Sequence, residues 1–123
     1  MKPKKDDIFY LEIVSDSIAK VFQYINGMDE DMFLRNDMMK DACLQRLIVI
    51  GENGGKVSDE LKEKFREVEW QLMKAARNFY AHAYEYTNWR HVWDTINNVL
   101  PYLQPKIEHI IEVLEKENNA KTN

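Results

Sequence analysis

Hydrophobic residues recur along most of this chain at alternating intervals of three and four, the spacing that lays one apolar stripe along an α-helix. From Asp7 to Ile25 the stripe is Ile8, Leu11, Ser15, Ile18, Phe22 and Ile25, with Asp6 or Asp7 placed to cap its start and Asn26-Gly27 to end it. Asp29 can cap a short turn through Met32, Phe33 and Leu34, whose sulfur and aromatic side chains read as gap-filling core. A second long helix begins at Asn36 or Asp37 and carries Met39, Cys43, Leu47 and Ile50 on one face. Arg46 lies on that side and would need a carboxylate partner if buried. Gly51-Glu52-Asn53-Gly54-Gly55 follows, and three glycines cost about 1 kcal/mol each against alanine, which ends the helix on local grounds.

Ser58 is a credible N-cap, followed by Asp59 and Glu60. A third long helix carries Trp70, Met73, Arg77, Tyr80 or Ala81, and Tyr84. Thr87-Asn88 breaks the pattern and caps a fourth, with Trp89, Val92, Trp93, Ile96 and Val99 or Leu100 inward. Pro101 can open a last helix, where its missing N–H does no harm, and Leu103, Ile107, Ile110 and Leu114 form its seam. The expected fold is all-α: an antiparallel bundle of four long helices with short extra helices. It forms one domain over residues 1–114, with 115–123 a frayed polar tail.

Composition narrows the function. At 123 residues there is room for one core. A single cysteine, Cys43, excludes an internal disulfide and Cys-rich zinc sites, and its apolar surroundings read as core or interface. No apolar run approaches the ~18 residues of a membrane span and no apolar signal region follows the basic start, so the expectation is a soluble, cytoplasmic protein. The net charge of −4 opposes a large nucleic-acid footprint but leaves room for a small basic groove of Lys74, Arg77, His82, Arg90 and His91. His109, flanked by Glu108 and Glu112, has no partner at ligand spacing, and no Glu-x-x-His pair suggests a carboxylate-bridged metal centre. No metal and no cofactor are expected.

The exception to this plain pattern is Arg77-Asn78-Phe79-Tyr80-Ala81-His82-Ala83-Tyr84. An arginine on an apolar stripe is costly to bury, and an interface would explain it. In an ideal helix Tyr84 lies about 20° off the Arg77 line and His82 about 140° round from it, so one helix cannot aim Arg77 and His82 at one atom. A bend near His82 or a second copy of the chain must complete such a site. Five arginines and three histidines make a chance Arg-x4-His about one in eight, but the longer string Arg-Asn-x-x-Ala-His-x-Tyr is far more specific.

That string resembles the HEPN superfamily, and within it the HepT-like toxins of HepT/MntA toxin–antitoxin pairs. Ile50-Gly51-Glu52, Trp70, Val92-Trp93 and Leu100-Pro101 agree with the layout, so the resemblance covers about Asp7 to Leu114. Two positions depart from it: Asn88 stands where members often have Asp, and Gly54-Gly55 loosens a stretch that is usually helical. The resemblance carries the second helix past Gly51, against local propensity, and Glu52 is either solvent-facing or paired with an arginine. It also implies a homodimeric, metal-independent endoribonuclease whose Arg77 and His82 are catalytic at a shared interface, with Asn78 and Tyr84 in support. It implies a cognate MntA-like nucleotidyltransferase antitoxin that silences the toxin by adding AMP to Tyr84. The alternative class is an inert helical subunit that binds substrate for a nucleotidyltransferase without turnover.

Overall fold

The computed structural model describes residues 2–74 and 86–122, with side chains over 6–74 and 86–120. Among these the chain is all-α, and helices pack on helices around one apolar core. The first helix, α1 (Lys2–Ile25), starts earlier than its apolar pattern, and Gly27 (φ +81°) follows it in the left-handed conformation that stops the helix. Its fully buried residues are Leu11, Val14, Ile18 and Val21. Ile8, Ser15, Phe22 and Ile25, expected at the centre of the seam, flank it half-buried. The reason is tertiary: α1 packs on two neighbours at once, which moves the middle of its buried face towards Val14 and Val21.

Local capping chemistry sets the next boundaries. Asp29 accepts from the Met32 N–H at 2.9 Å and starts α2 (Glu30–Leu34), which buries Phe33 and leaves Met32 exposed. Asn36 accepts from the Met39 N–H at 3.0 Å and starts α3 (Asp37–Lys56). This helix runs straight through Gly51, Gly54 and Gly55, where propensity alone would end it. Cys43, Leu47 and Ile50 are fully buried as expected, whereas Met39 and Arg46 are half-buried and Glu52 faces solvent. Burial pushes the Cys43 thiol up to about 11, so it stays protonated and is no nucleophile.

Asp7 does not cap α1. It lies inside that helix, 2% exposed, and its carboxylate accepts from Ser58 N–H at 2.8 Å and from Ser58 Oγ at 2.6 Å. Ser58 Oγ in turn accepts from the Leu61 N–H at 3.2 Å and caps α4 (Asp59–Lys64), so the start of one helix is held by the flank of another. Hydrogen bonds to a charged group contribute about 1.5–3 kcal/mol. Asp7→Ala is therefore expected to lower unfolding free energy by about 2 kcal/mol, against about 1 kcal/mol for Ser58→Ala. Urea unfolding of the two variants measures this, and an Asp7→Ala loss below that of Ser58→Ala would show that water replaces the carboxylate.

The expected break at Pro101 is absent. Helix α5 (Trp89–Asp94) passes through a π-helical turn (Thr95–Val99) into α6 (Leu100–Thr122) with no cap between them. The widened turn, in which Leu100 N–H bonds to Thr95 O, makes room for the ring of Pro101 that a regular α-ladder would force against the carbonyl four residues back. Pro105 also lies within α6, on the exposed side. Leu103, Ile107, Ile110 and Leu114 are each at most 3% exposed, as their spacing requires. The polar end, expected to fray from Glu115, stays helical to Thr122, and Glu117 pairs with Lys64 of α4 at 2.6 Å. Helices α1, α3 and α6 form the body of the bundle, with α1 against both others.

Candidate functional site

The candidate catalytic and supporting residues Arg77, Asn78, His82 and Tyr84 lie outside the described residues, as does Tyr80. What the structure gives is how the chain is held before and after them.

Before them, the expected third helix is interrupted. After α4 the chain makes a compact turn: Phe65 N–H bonds to Leu61 O at 3.0 Å, Val68 N–H to Phe65 O at 3.2 Å and Trp70 N–H to Val68 O at 3.0 Å. Phe65 and Val68 are buried, and Trp70 Nε1 donates to Phe65 O at 3.1 Å, which fixes the indole across the turn. Helix resumes at 71–74, where Leu72 N–H and Met73 N–H bond to Glu69 O and Trp70 O. Met73 is fully buried and seats this turn on α3 beside Gly54. Lys74 faces solvent. The sequence read Trp70 and Met73 as one continuous stripe, and the interruption at 65–70 carries no glycine or proline to announce it.

After them, Tyr86 is 80% exposed, and Asn88 caps α5 by accepting from the His91 N–H at 3.1 Å. Asparagine serves here as well as the family's aspartate, because a neutral side-chain oxygen suffices to accept that bond. Val92 is fully buried and the Trp93 ring lies 5.0 Å from Phe33 of α2, so the exit is anchored by aromatic packing. Lys40 Nζ sits 5.0 Å over the Trp89 ring and 3.4 Å from Asp37.

Of the expected basic groove, the described members are Lys74, Arg90 and His91, all exposed. Arg90 Nη1 reaches Glu30 of α2 at 3.2 Å, a solvent-exposed pair of the kind worth at most about 1 kcal/mol. His109 is exposed on α6, in a shallow groove with Glu67, Pro101, Tyr102, Pro105 and Lys106. Among the described residues, no group of three or more His, Cys, Asp or Glu side chains could hold a metal ion. No described helix is long and apolar enough to cross a membrane.

Comparison with known proteins bears on the same stretch. The chain is 28% identical over 120 residues to the gamma-glutamylcyclotransferase and putative RNase of Methanocaldococcus jannaschii, covering 98% of this chain and 54% of that protein. It thus spans about half the length of that relative. A putative RNase of the same organism is 29% identical over 116 residues, 94% of this chain and 96% of its own. The probable ribonuclease HepT of Thermococcus cleftensis is 26% identical over 101 residues, 82% and 92% of the two chains. No solved structure matches the chain significantly. The family model for ribonuclease HepT-like proteins matches residues 14–110, a span that runs from α1 into α6 and contains Arg77, Asn78, His82 and Tyr84. The chain belongs to the HepT-like ribonuclease family, as its Arg-Asn-x-x-Ala-His-x-Tyr string implied.

Proposed function

We propose that this protein is the toxin of a HEPN–nucleotidyltransferase toxin–antitoxin pair and cuts RNA without a metal ion, at a cleft shared by two copies of the chain. The observation that carries the reading is the family match across the whole motif. Cleavage needs a proton taken from the 2′-OH, a stabilised pentacoordinate phosphate and a proton given to the departing 5′-oxygen. His82 suits both transfers, because an unperturbed imidazole titrates near 6.5. Arg77 stays charged, and its planar fork fits two phosphate oxygens. Asn78 positions the phosphate or the imidazole by hydrogen bonding, and Tyr84 places a hydroxyl at the groove. Two-fold pairing of the chain supplies what one helix cannot, an Arg77 and a His82 on the same phosphate.

The net charge of −4 favours a second reading, an inert subunit that binds substrate for a nucleotidyltransferase, since RNA-binding surfaces are usually basic. One experiment separates them. Purified protein incubated with RNA in EDTA is expected to cleave it and to leave 2′,3′-cyclic phosphate ends, while 2′-O-methyl RNA stays intact. Cleavage that requires a divalent metal, or that proceeds on 2′-O-methyl RNA, would overturn the mechanism. Binding without any cleavage would favour the inert subunit.

A further inference from the structure

Gly54 lies on the buried face of α3, against the turn that leads into the motif. A Cβ added there would stand 2.7 Å from Met73 Sδ, 3.1 Å from Met73 Cβ and 3.4 Å from Met73 Cγ. Met73 is 0% exposed, so its thioether has no solvent to swing into. Its Cβ is fixed to the backbone. Relieving the 3.1 Å contact therefore means moving the helical turn 71–74 away from α3 by a few tenths of an ångström. Arg77 follows Met73 by four residues in the sequence.

We propose that Gly54 is a positioning residue for RNA cleavage. By letting Met73 seat directly on the backbone of α3, it sets the depth at which the chain enters the segment carrying Arg77 and His82. This rests on the ribonuclease reading of those two residues. Gly55 supplies the contrast within the same helix: it is exposed, and a Cβ there would meet nothing within 4 Å. Alanine is the better helix former at both positions, so local propensity predicts the same gain from either substitution. Only the contact with Met73 distinguishes them.

The test is kcat and KM on one RNA, with thermal midpoints, for wild type, Gly54→Ala, Gly55→Ala, Met73→Ala and Gly54→Ala/Met73→Ala. Gly54→Ala is expected to lower kcat by about 10- to 100-fold, the scale of an ångström-level displacement of reacting groups. KM should change by less than about threefold, since the effect falls on the chemical step. Gly55→Ala should stay within about twofold of wild type in both, as an exposed change away from the chemistry. Removing Sδ and Cγ makes room, so the double variant should recover to within about threefold of Met73→Ala alone. Equal kcat for Gly54→Ala and Gly55→Ala would overturn the proposal, as would a double variant no better than Gly54→Ala. If Gly54→Ala does not fold, the double variant decides: folding with the activity of Met73→Ala supports the proposal, and failure to fold sinks it. Arg77→Ala with full activity would strike the site assignment instead, and an inactive wild type would strike both.

Discussion

His82→Ala is expected to lower RNA cleavage by about 10²- to 10⁴-fold, the range that positioned acid–base catalysis contributes. Arg77→Ala is expected to fall as far, because a guanidinium holding the phosphate acts on charge that grows in the transition state. Arg77→Lys should recover little, since an ammonium cannot reproduce two parallel hydrogen bonds. Both alanine variants should keep their urea midpoints, which separates lost chemistry from lost fold. Mixing the two inactive proteins tests the shared cleft: a mixed dimer retains one Arg77 and one His82, and part of the cleavage should return. No recovery after verified subunit exchange would mean that each chain carries its whole site. Cleavage by His82→Ala within about twofold of wild type would remove the imidazole from the mechanism altogether.

The second large effect is expected at Tyr84. Co-expressed with a nucleotidyltransferase encoded beside it, with ATP and magnesium, the protein should gain one or more AMP units there and lose its cleavage activity. In ideal helical geometry Tyr84 is about 20° from the Arg77 line, so an added phosphate is carried towards the guanidinium that an RNA phosphate needs. The adenosine fills the cleft and the charge occupies Arg77. Tyr84→Phe should fold, cleave and escape modification, whereas Tyr80→Phe should still be modified. Intact-mass measurement decides: no added mass on wild type, or the same added mass on Tyr84→Phe, would show the wrong site or the wrong mode of control.

Where local chemistry settles a boundary, the sequence showed it. Asp29, Asn36, Ser58 and Asn88 all cap the helices expected of them, because an N-cap depends only on a side chain and an N–H three residues on. The α6 seam was legible for the same reason, being one unbroken periodicity. What failed was non-local. Asp7 looked like a cap because its true partner, Ser58, is 51 residues away. Helix α3 looked finished at Gly51 because the packing that carries it on includes Met73, from another part of the chain. The candidate site divides likewise: its residue types could be read as a string, while the cleft they would form depends on a second chain, which no helical wheel contains.

The π-turn at Thr95–Val99 has a consequence for chain length. A π-turn holds one residue more than an α-turn closing the same gap, so it offsets the phase of everything beyond it. A chain one residue shorter between Asp94 and Leu100 would close as ordinary α-helix. Leu103, Ile107, Ile110 and Leu114 would then arrive about 100° away from where α1 receives them. Substitutions at exposed Asn97 or Asn98 leave that phase untouched. The number of residues in this turn is thus more tightly constrained than their identity, and a one-residue gap here is a change of architecture although it falls partly on the surface.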